Sequence, residues 1–218
     1  MVFSLLVFAS GCWAFLELAD EVMEGETLTM DERILLAMRD PADPYQPVGP
    51  VWLAEFGRDV TALGGVAVLL IIVTAAAGYT LLSRKYRTTV FMLAAVGGGL
   101  ILSTVLKIVI DRPRPDLISY EAAVYTASFP SGHSMMAAVT YLTLAVLLAR
   151  IQPQRRLKIY LVAIAIAVTI AVGVSRVYVG VHWPTDVLAG WVAGAAWAGL
   201  CWFLAIWLQR LGVVEPEE

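Results

Sequence analysis

The chain alternates long uncharged stretches with short connections that carry most of its charges. A helix needs roughly 20 mainly apolar residues to cross the hydrocarbon core of a bilayer. Stretches near that length occur at residues 1–16, 60–82, 88–106, 122–149, 159–175 and 187–209. They predict an all-α integral membrane protein, a bundle of six transmembrane helices with spans over about residues 1–19, 60–82, 88–110, 131–149, 159–176 and 185–209.

For two of these spans, the start is predicted from features other than hydrophobicity. Pro130 and Gly132 interrupt the fourth stretch, so its helix is predicted to begin near Ser131, after a loop. The first stretch has no basic residue before it, which favours a true helix over a cleavable signal peptide. Residues 9–12, Ala-Ser-Gly-Cys, leave a lipoprotein signal as the alternative.

The composition agrees with a membrane protein and argues against several other classes. The 218 residues are 60% hydrophobic and 15% charged, with a mean hydropathy of +0.78, outside the usual balance of soluble domains. We predict one membrane domain over residues 1–218. Cys12 and Cys201 lie in separate predicted helices without metal-type spacing, so they indicate no disulfide framework, redox site or metal site. The basic clusters are short and close to the membrane, which is not typical of nucleic-acid binding.

Charge is unevenly placed along the chain, although the net charge is only −3 and the pI about 5.4. Residues 20–59 hold most of the acidic residues, whereas the connections 83–87 and 150–158 are basic. Basic connections mark the cytoplasmic side of a membrane protein. The predicted topology therefore places both termini in the cytoplasm and residues 20–59 outside an inner (plasma) membrane.

Residues 20–59 are the only sizeable segment predicted outside the spans. Residues 29–32, Thr-Met-Asp-Glu, fit a helical capping box. Apolar residues then recur at helical spacing until Asp40 and Pro41; they are Leu28, Ile34, Leu35 and Met38. This pattern predicts a short amphipathic helix on the outer surface. Residues 51–59 are predicted as either a second interfacial turn, with Trp52 and Phe56 at headgroup level, or a solvated loop.

Closely spaced glycines mark helix contacts in two predicted spans. Gly190 and Gly194 form a G-x-x-x-G pattern in the last span, and residues 97–99 are all glycine in the third. Small residues at such spacing let helices approach closely. The pattern favours packing within the bundle, with a homodimer contact through the Gly190/Gly194 face as the alternative.

The few ionisable residues that interrupt the hydrophobic pattern after residue 88 fall into three clusters. Apart from the basic connections, the clusters span residues 107–115, 130–133 and 175–186. The third and fifth predicted spans run outward and the fourth and sixth run inward. All three clusters therefore meet at the outer face.

Each cluster also has an ordinary structural explanation. Lys107 and Arg114 could be cations that reach from a helix end to the interface. Ser131 could simply cap a helix, and Arg176 could form a structural ion pair with Asp186. The convergence of both histidines of the chain with three cations and a carboxylate favours a catalytic site instead.

The residue types in these clusters suit phosphoryl transfer. Lys107, Arg114 and Arg176 supply charge and donors for phosphate oxygens. Ser131 and Gly132 lie where the fourth helix begins, so backbone N–H groups and the positive end of the helix dipole can face an anion. A phosphoryl transition state needs such a ring of donors.

The two histidines suit different tasks. His182 and Asp186 are one helical turn apart, so Asp186 can accept a hydrogen bond from one ring nitrogen and leave the other free to attack phosphorus. His133 would protonate the leaving alkoxide and later activate water. Two histidines and an aspartate can also bind a metal, but the three nearby cations would repel a divalent ion. We predict neither a metal nor another cofactor.

These clusters resemble the three-part signature of the type 2 phosphatidic acid phosphatase (PAP2) superfamily, which is K-x6-RP, PSGH and SR-x5-H-x3-D. Every position matches; the residues are Lys107, Arg114, Pro115, Pro130, Ser131, Gly132, His133, Ser175, Arg176, His182 and Asp186. The resemblance covers about residues 60–210. PSGH by itself would be a weak signal, whereas the complete set in this order is highly specific.

The resemblance implies a six-helix membrane phosphatase that acts on lipid phosphates or diphosphates at the outer membrane surface, through a phosphohistidine and without a metal. It implies the same roles for the residues given above. Candidate substrates are phosphatidate, phosphatidylglycerophosphate and undecaprenyl diphosphate. Two alternatives stay open: an enzyme like the vanadate-dependent haloperoxidases, which resemble the family but are soluble, and a non-catalytic protein that binds or translocates lipid phosphates. Residues 20–59 carry no family motif.

Overall fold

A computed structural model describes residues 2–116 and 126–211. The helices within these ranges confirm the predicted all-α fold class. They are α1 (Val2–Glu24), α2 (Leu28–Ala37), α3 (Val51–Ala62), α4 (Val66–Leu82), α5 (Tyr86–Val109), α6 (Gly132–Arg150), α7 (Arg155–Tyr178) and α8 (Pro184–Arg210).

Five of these helices, α1 and α5 to α8, are long and apolar enough to cross a membrane. Helices α3 and α4 pass the same test together and meet at an angle of 47°, which brings the number of spans to the predicted six if the bent pair is one span. The bend follows Gly64, where a Cβ would come within 2.5 Å of Val172 Cγ1 and 3.0 Å of the His133 carbonyl oxygen. Only glycine permits this close approach, and the predicted span 60–82 therefore straddles a bend.

Helix α2 is the predicted amphipathic helix, but its predicted capping box is wrong. The helix begins at Leu28 after Thr27, whose side chain makes no capping hydrogen bond. Asp31, expected within the capping box, is fully buried and accepts hydrogen bonds from Thr185 of α8. The box fails because Thr29, its predicted cap, already lies inside the helix, and the Asp31 carboxylate is engaged by a tertiary contact.

Residues 51–59 belong to helix α3 rather than to a solvated loop. Trp52 and Phe56 are exposed on this helix. Its other side packs on α7, where a Cβ on Gly57 would lie 2.8 Å from a ring carbon of Tyr178. The Tyr178 hydroxyl donates to the Val48 carbonyl oxygen over 2.8 Å, which ties the segment before α3 to the end of α7.

The glycines of α8 pack within the bundle, as the favoured prediction had it. A Cβ on Gly190 would lie 2.8 Å from the Ser131 carbonyl oxygen, and a Cβ on Gly194 would lie 2.5 Å from Ala138 Cβ. Helix α6 therefore covers the Gly190/Gly194 face. A dimer contact through this face would have to displace α6.

Replacing Gly190 by alanine is expected to destabilise the fold by about 1–3 kcal/mol, because the added methyl group overpacks the contact between α8 and the start of α6. Gly97→Ala is the control, since among the described residues no atom outside the neighbouring turns of its own helix lies within 4 Å of the Cβ position at Gly97. Alanine there should be neutral or stabilising, because it favours the helix over glycine. The measurement is the thermal unfolding temperature of each variant in one detergent. Equal temperatures for the two variants would contradict the close α6–α8 contact.

Candidate active site

Four helix ends meet at one end of the bundle, namely the C-terminal ends of α5 and α7 and the N-terminal ends of α6 and α8. The backbone N–H of Ser131 donates to the Asp186 carbonyl oxygen over 2.9 Å, which joins α6 to α8. Lys107, on the last turn of α5, donates through Nζ to the Ala127 carbonyl oxygen over 2.8 Å, just before α6. These contacts bring together the three clusters that were predicted to share one face.

The start of α6 presents backbone amides beside a cation. Ser131 is the N-cap, and its Oγ accepts a hydrogen bond from the backbone N–H of Ser134 over 3.4 Å. Gly132 is the first helical residue, and a Cβ there would lie 3.3 Å from Lys107 Cε. The absence of a side chain at Gly132 therefore lets the helix N-terminus lie directly against Lys107. Amides and an ammonium group on one side of a space can bind an anion.

His182 is held between an arginine and a carboxylate. Its Nε2 lies 3.1 Å from Nη1 of Arg114, and its Nδ1 lies 3.3 Å from Oδ2 of Asp186. Because a guanidinium can only donate, Nε2 must accept, so the proton of the neutral ring is on Nδ1 and faces Asp186. Burial lowers the pKa of His182 to about 3, although Asp186 acts in the opposite direction. The ring is therefore neutral at physiological pH. The Nε2 lone pair thus faces Arg114 and accepts its hydrogen bond.

The three predicted cations lie close enough to repel one another. Arg114 is anchored by the backbone, because its Nε donates to the Thr126 carbonyl oxygen over 2.9 Å and its Nη1 to that of Val181 over 2.7 Å. Arg176 is only 7% exposed, and its Nε has no hydrogen-bond partner in the part of the chain that the structure describes. Asp186 offsets part of this repulsion, and the remaining positive charge is suited to a multiply charged anion.

His133 lies on the first turn of α6, beside a groove between α4, α5 and α6. The groove has a volume of about 410 Å³. Lys107, Gly132 and His133 line its polar end, whereas most of its remaining lining is apolar. His133 is half-buried. The groove therefore connects an apolar helix surface with the polar cluster.

The structure places all eight predicted site residues at this end of the bundle; they are Lys107, Arg114, Ser131, Gly132, His133, Arg176, His182 and Asp186. Within residues 2–116 and 126–211, no group of three or more His, Cys, Asp or Glu side chains could hold a metal ion. The arrangement combines an imidazole whose unprotonated Nε2 faces Arg114, three cations and the start of a helix. These are the residue types that binding a phosphate and attacking it require.

Comparison with known proteins agrees with this chemistry. The family model of the PAP2 superfamily matches residues 88–210, which include every predicted site residue. The chain belongs to the PAP2 superfamily. This confirms the resemblance predicted from the three motifs.

Two curated PAP2 relatives are lipid phosphatases by name. Phosphatidylglycerophosphatase B of Bacillus subtilis (strain 168) is 37% identical over 148 residues, which are 66% of this chain and 70% of the relative. Undecaprenyl-diphosphatase of Sulfolobus acidocaldarius is 31% identical over 173 residues, which are 77% of this chain and 73% of the relative.

A solved structure agrees with the fold. The crystal structure of a transmembrane PAP2-type phosphatidylglycerolphosphate phosphatase from Bacillus subtilis superimposes with a TM-score of 0.80 at 31% sequence identity, covering 93% of this chain and 97% of that one. The predicted multi-span membrane architecture is therefore confirmed.

Sequence reasoning missed two polar groups of this PAP2 site, Ser128 and Arg112. Ser128 donates through Oγ to Asp186 Oδ2, and this Oγ lies 3.3 Å from His182 Nδ1. Arg112 donates through Nη1 to Asp186 Oδ1 over 2.7 Å. Each stands two residues before a motif residue, Ser128 before Pro130 and Arg112 before Arg114. Polar residues this close to the motifs were the signal that could have indicated them.

Proposed function

We propose that this chain hydrolyses the phosphate or diphosphate ester of a membrane lipid through a phosphohistidine on His182. The family and its named relatives support the enzyme class, a phosphoric ester hydrolase acting on lipid phosphates. The single observation that carries the mechanism is the orientation of His182, whose Nε2 faces Arg114 while its Nδ1 faces Asp186.

In the first step, Nε2 of His182 attacks phosphorus and the bond from phosphorus to the lipid oxygen breaks. Asp186 stabilises the positive charge that develops on the ring as the P–N bond forms. His133 donates a proton to the departing lipid alkoxide. In the second step, His133 takes a proton from water, the resulting hydroxide attacks phosphorus, the P–N bond breaks, and inorganic phosphate leaves.

The phosphate cradle in this proposal consists of the three cations and the start of α6. Lys107, Arg114 and Arg176 neutralise the equatorial oxygens, and the unpartnered Nε of Arg176 is a donor available to one of them. The backbone amides of Gly132 and His133 add neutral donors at the positive end of the helix dipole, whereas the Ser131 N–H already donates to the Asp186 carbonyl oxygen. These groups are already held in place before substrate binds, which is the condition for electrostatic stabilisation of a transition state.

A lipid substrate is supported by the groove beside His133. Its polar end adjoins the cradle, while apolar side chains such as Leu70 and Leu100 line it further along. The phosphate of a lipid can therefore lie at the cradle while the first part of its hydrocarbon chain follows the groove. Phosphatidylglycerophosphate, undecaprenyl diphosphate and phosphatidate are the candidate substrates.

The proposal places the site on the outer side of the inner (plasma) membrane, with both termini in the cytoplasm. It is supported by the basic residues around the α4–α5 and α6–α7 connections, such as Arg84 and Arg155, which lie at the opposite end of the bundle from the site.

The test is phosphate release by the purified protein in detergent, from each candidate lipid singly and in competition, with EDTA present throughout. We expect activity that EDTA does not reduce, and much weaker activity on glycerol phosphate, which has the phosphate ester without the hydrocarbon chains. Competition between the lipids identifies the preferred headgroup.

Either of two results would refute the proposal and favour another function. Tight binding of a lipid phosphate by folded protein without turnover would indicate a binding or translocating protein. Halide oxidation after loading with vanadate would indicate haloperoxidase-like chemistry.

A further inference from the structure

The segment between α1 and α4 reaches the active site although it lies outside the region that the family model matches. Asp31 of α2 is fully buried against the start of α8. Its Oδ1 accepts a hydrogen bond from the backbone N–H of Thr185 over 2.9 Å, and its Oδ2 accepts one from the Thr185 hydroxyl over 2.6 Å. Asp31 thus caps α8 from another helix, at the end where a negative charge is favourable.

Arg112 links Asp31 to the carboxylate of the site. Its Nη2 donates to Oδ2 of Asp31 over 2.7 Å, and its Nη1 donates to Oδ1 of Asp186 over 2.7 Å and to the Thr185 hydroxyl over 2.8 Å. The guanidinium also lies over the ring of Trp183, 5.6 Å from its centroid. Both terminal nitrogens of Arg112 are therefore engaged by the protein itself.

The two oxygens of Asp186 have separate partners. Oδ1 faces Arg112, whereas Oδ2 accepts from Ser128, from the backbone N–H of Trp183 over 2.9 Å, and from His182 Nδ1. A guanidinium with both terminal nitrogens free tends to bind a carboxylate through both of its oxygens. That geometry would turn Oδ2 of Asp186 away from His182. Asp31 prevents it, because it occupies Nη2 and leaves only Nη1 for Asp186.

We infer that Asp31 and Arg112 are positioning residues for the hydrolytic reaction: Asp31 holds Arg112, and Arg112 holds Asp186 so that Oδ2 faces Nδ1 of His182. The inference rests on the proposed function and extends it. Arg112 is a fourth cation next to the cradle, but it acts on the carboxylate and not on the phosphate. It also gives the segment 20–59 a role in the reaction, although that segment has no family motif.

The test compares kcat, KM and the inhibition constant of inorganic phosphate in Asp31→Asn, Arg112→Gln and the double variant. Each single variant should lower kcat by about 10- to 100-fold, by analogy with the loss of a residue that hydrogen-bonds to a metal-ligating histidine. KM and the inhibition constant should stay within about twofold, because neither residue touches phosphate. The double variant should lose no more than the worse single variant, since the two residues act in series.

Glu32→Gln is the matched control, because Glu32 is exposed on the next position of α2. It should keep the wild-type kcat. Thermal unfolding of every variant in the same detergent identifies any that fails to fold. If Asp31→Asn fails to fold, the same kinetic constants are measured in Arg112→Lys. Lysine keeps the positive charge but lacks the two terminal nitrogens with which arginine donates to both carboxylates.

Three kinetic results would overturn the inference. An unchanged kcat in folded Asp31→Asn would show that Asp31 only stabilises the start of α8. A weaker inhibition by phosphate in Arg112→Gln would place Arg112 in the cradle. Losses that multiply in the double variant would show that the two residues act independently.

A spectroscopic measurement tests the inference without turnover. The chain has only two histidines, so ¹⁵N spectra of labelled histidine, assigned with His133→Gln, report the proton position on His182 directly. Wild-type protein should carry the proton on Nδ1, and Asp31→Asn should lose part of that population. Identical spectra would overturn the positioning role. A wild-type protein that hydrolyses no lipid phosphate would refute the proposed function, and these spectra would still decide the role of Asp31.

Discussion

Replacing His182 by glutamine is expected to abolish hydrolysis of lipid phosphates, with a loss of kcat on the order of 10⁴-fold or more. Glutamine can preserve a hydrogen bond to Asp186 but offers no lone pair that can attack phosphorus. The P–N bond cannot form, and the remaining groups of the cradle can only assist direct attack by water. Phosphate release measures the loss.

The intermediate gives this prediction a second measurement. Wild-type protein mixed with a ³²P-labelled lipid phosphate and quenched in base should retain label that acid removes, which is the behaviour of a phosphohistidine. His182→Gln should retain none, while its binding of inorganic phosphate stays close to wild type. Label that persists in His182→Gln would place the nucleophile elsewhere, and full activity in this variant would refute the mechanism.

Replacing His133 by glutamine is expected to slow turnover by about 10²- to 10⁴-fold, the usual contribution of a general acid and base. His133 lies on the first turn of α6 at the polar end of the groove, where a lipid alkoxide would leave. Its loss should affect proton transfer in both steps. Binding of inorganic phosphate should change little, because the three cations and the amides of α6 provide most of the donors.

The choice of leaving group separates the two tasks of His133. A nitrophenolate leaves without a proton, so His133→Gln should still release one equivalent of nitrophenolate rapidly from nitrophenyl phosphate. The phosphohistidine should then accumulate, because its hydrolysis still lacks a general base. His182→Gln is the control and should show no such burst. If His133→Gln instead lost phosphate binding, His133 would belong to the cradle.

The helices and the principal residues of the site could be predicted from the sequence because each is indicated by a short stretch of the chain or by a property summed along a stretch. A span is a run of apolar residues, and an ionisable residue within such a run is conspicuous because of the cost of burying it. The alternating direction of successive spans then places clusters far apart in the chain on one face. The sequence alone therefore places Lys107, His133 and His182 on one face.

The contacts between elements could not be predicted in the same way. The capping box expected at residues 29–32 is locally reasonable, but Asp31 is bonded to Thr185, 154 positions further along the chain. The bend after Gly64 depends on the side chain of Val172 on another helix. The pairing of Arg112 with two carboxylates depends on contact between helices α2 and α8. The spacing of residues within either helix does not predict that contact.

The sequence by itself determined that this is a membrane-spanning α-helical protein and which residues are the candidates for its phosphate chemistry, because bilayer thickness, the cost of burying charge and the three motifs are all expressed in local order and spacing. The tertiary structure alone decided how that chemistry is oriented. It paired Nδ1 of His182 with Asp186 and Nε2 with Arg114. It also placed Arg112 where it donates hydrogen bonds to both Asp31 and Asp186. Hydrogen bonds act over about 3 Å, so their partners are known only when the helices that carry them have been placed in space.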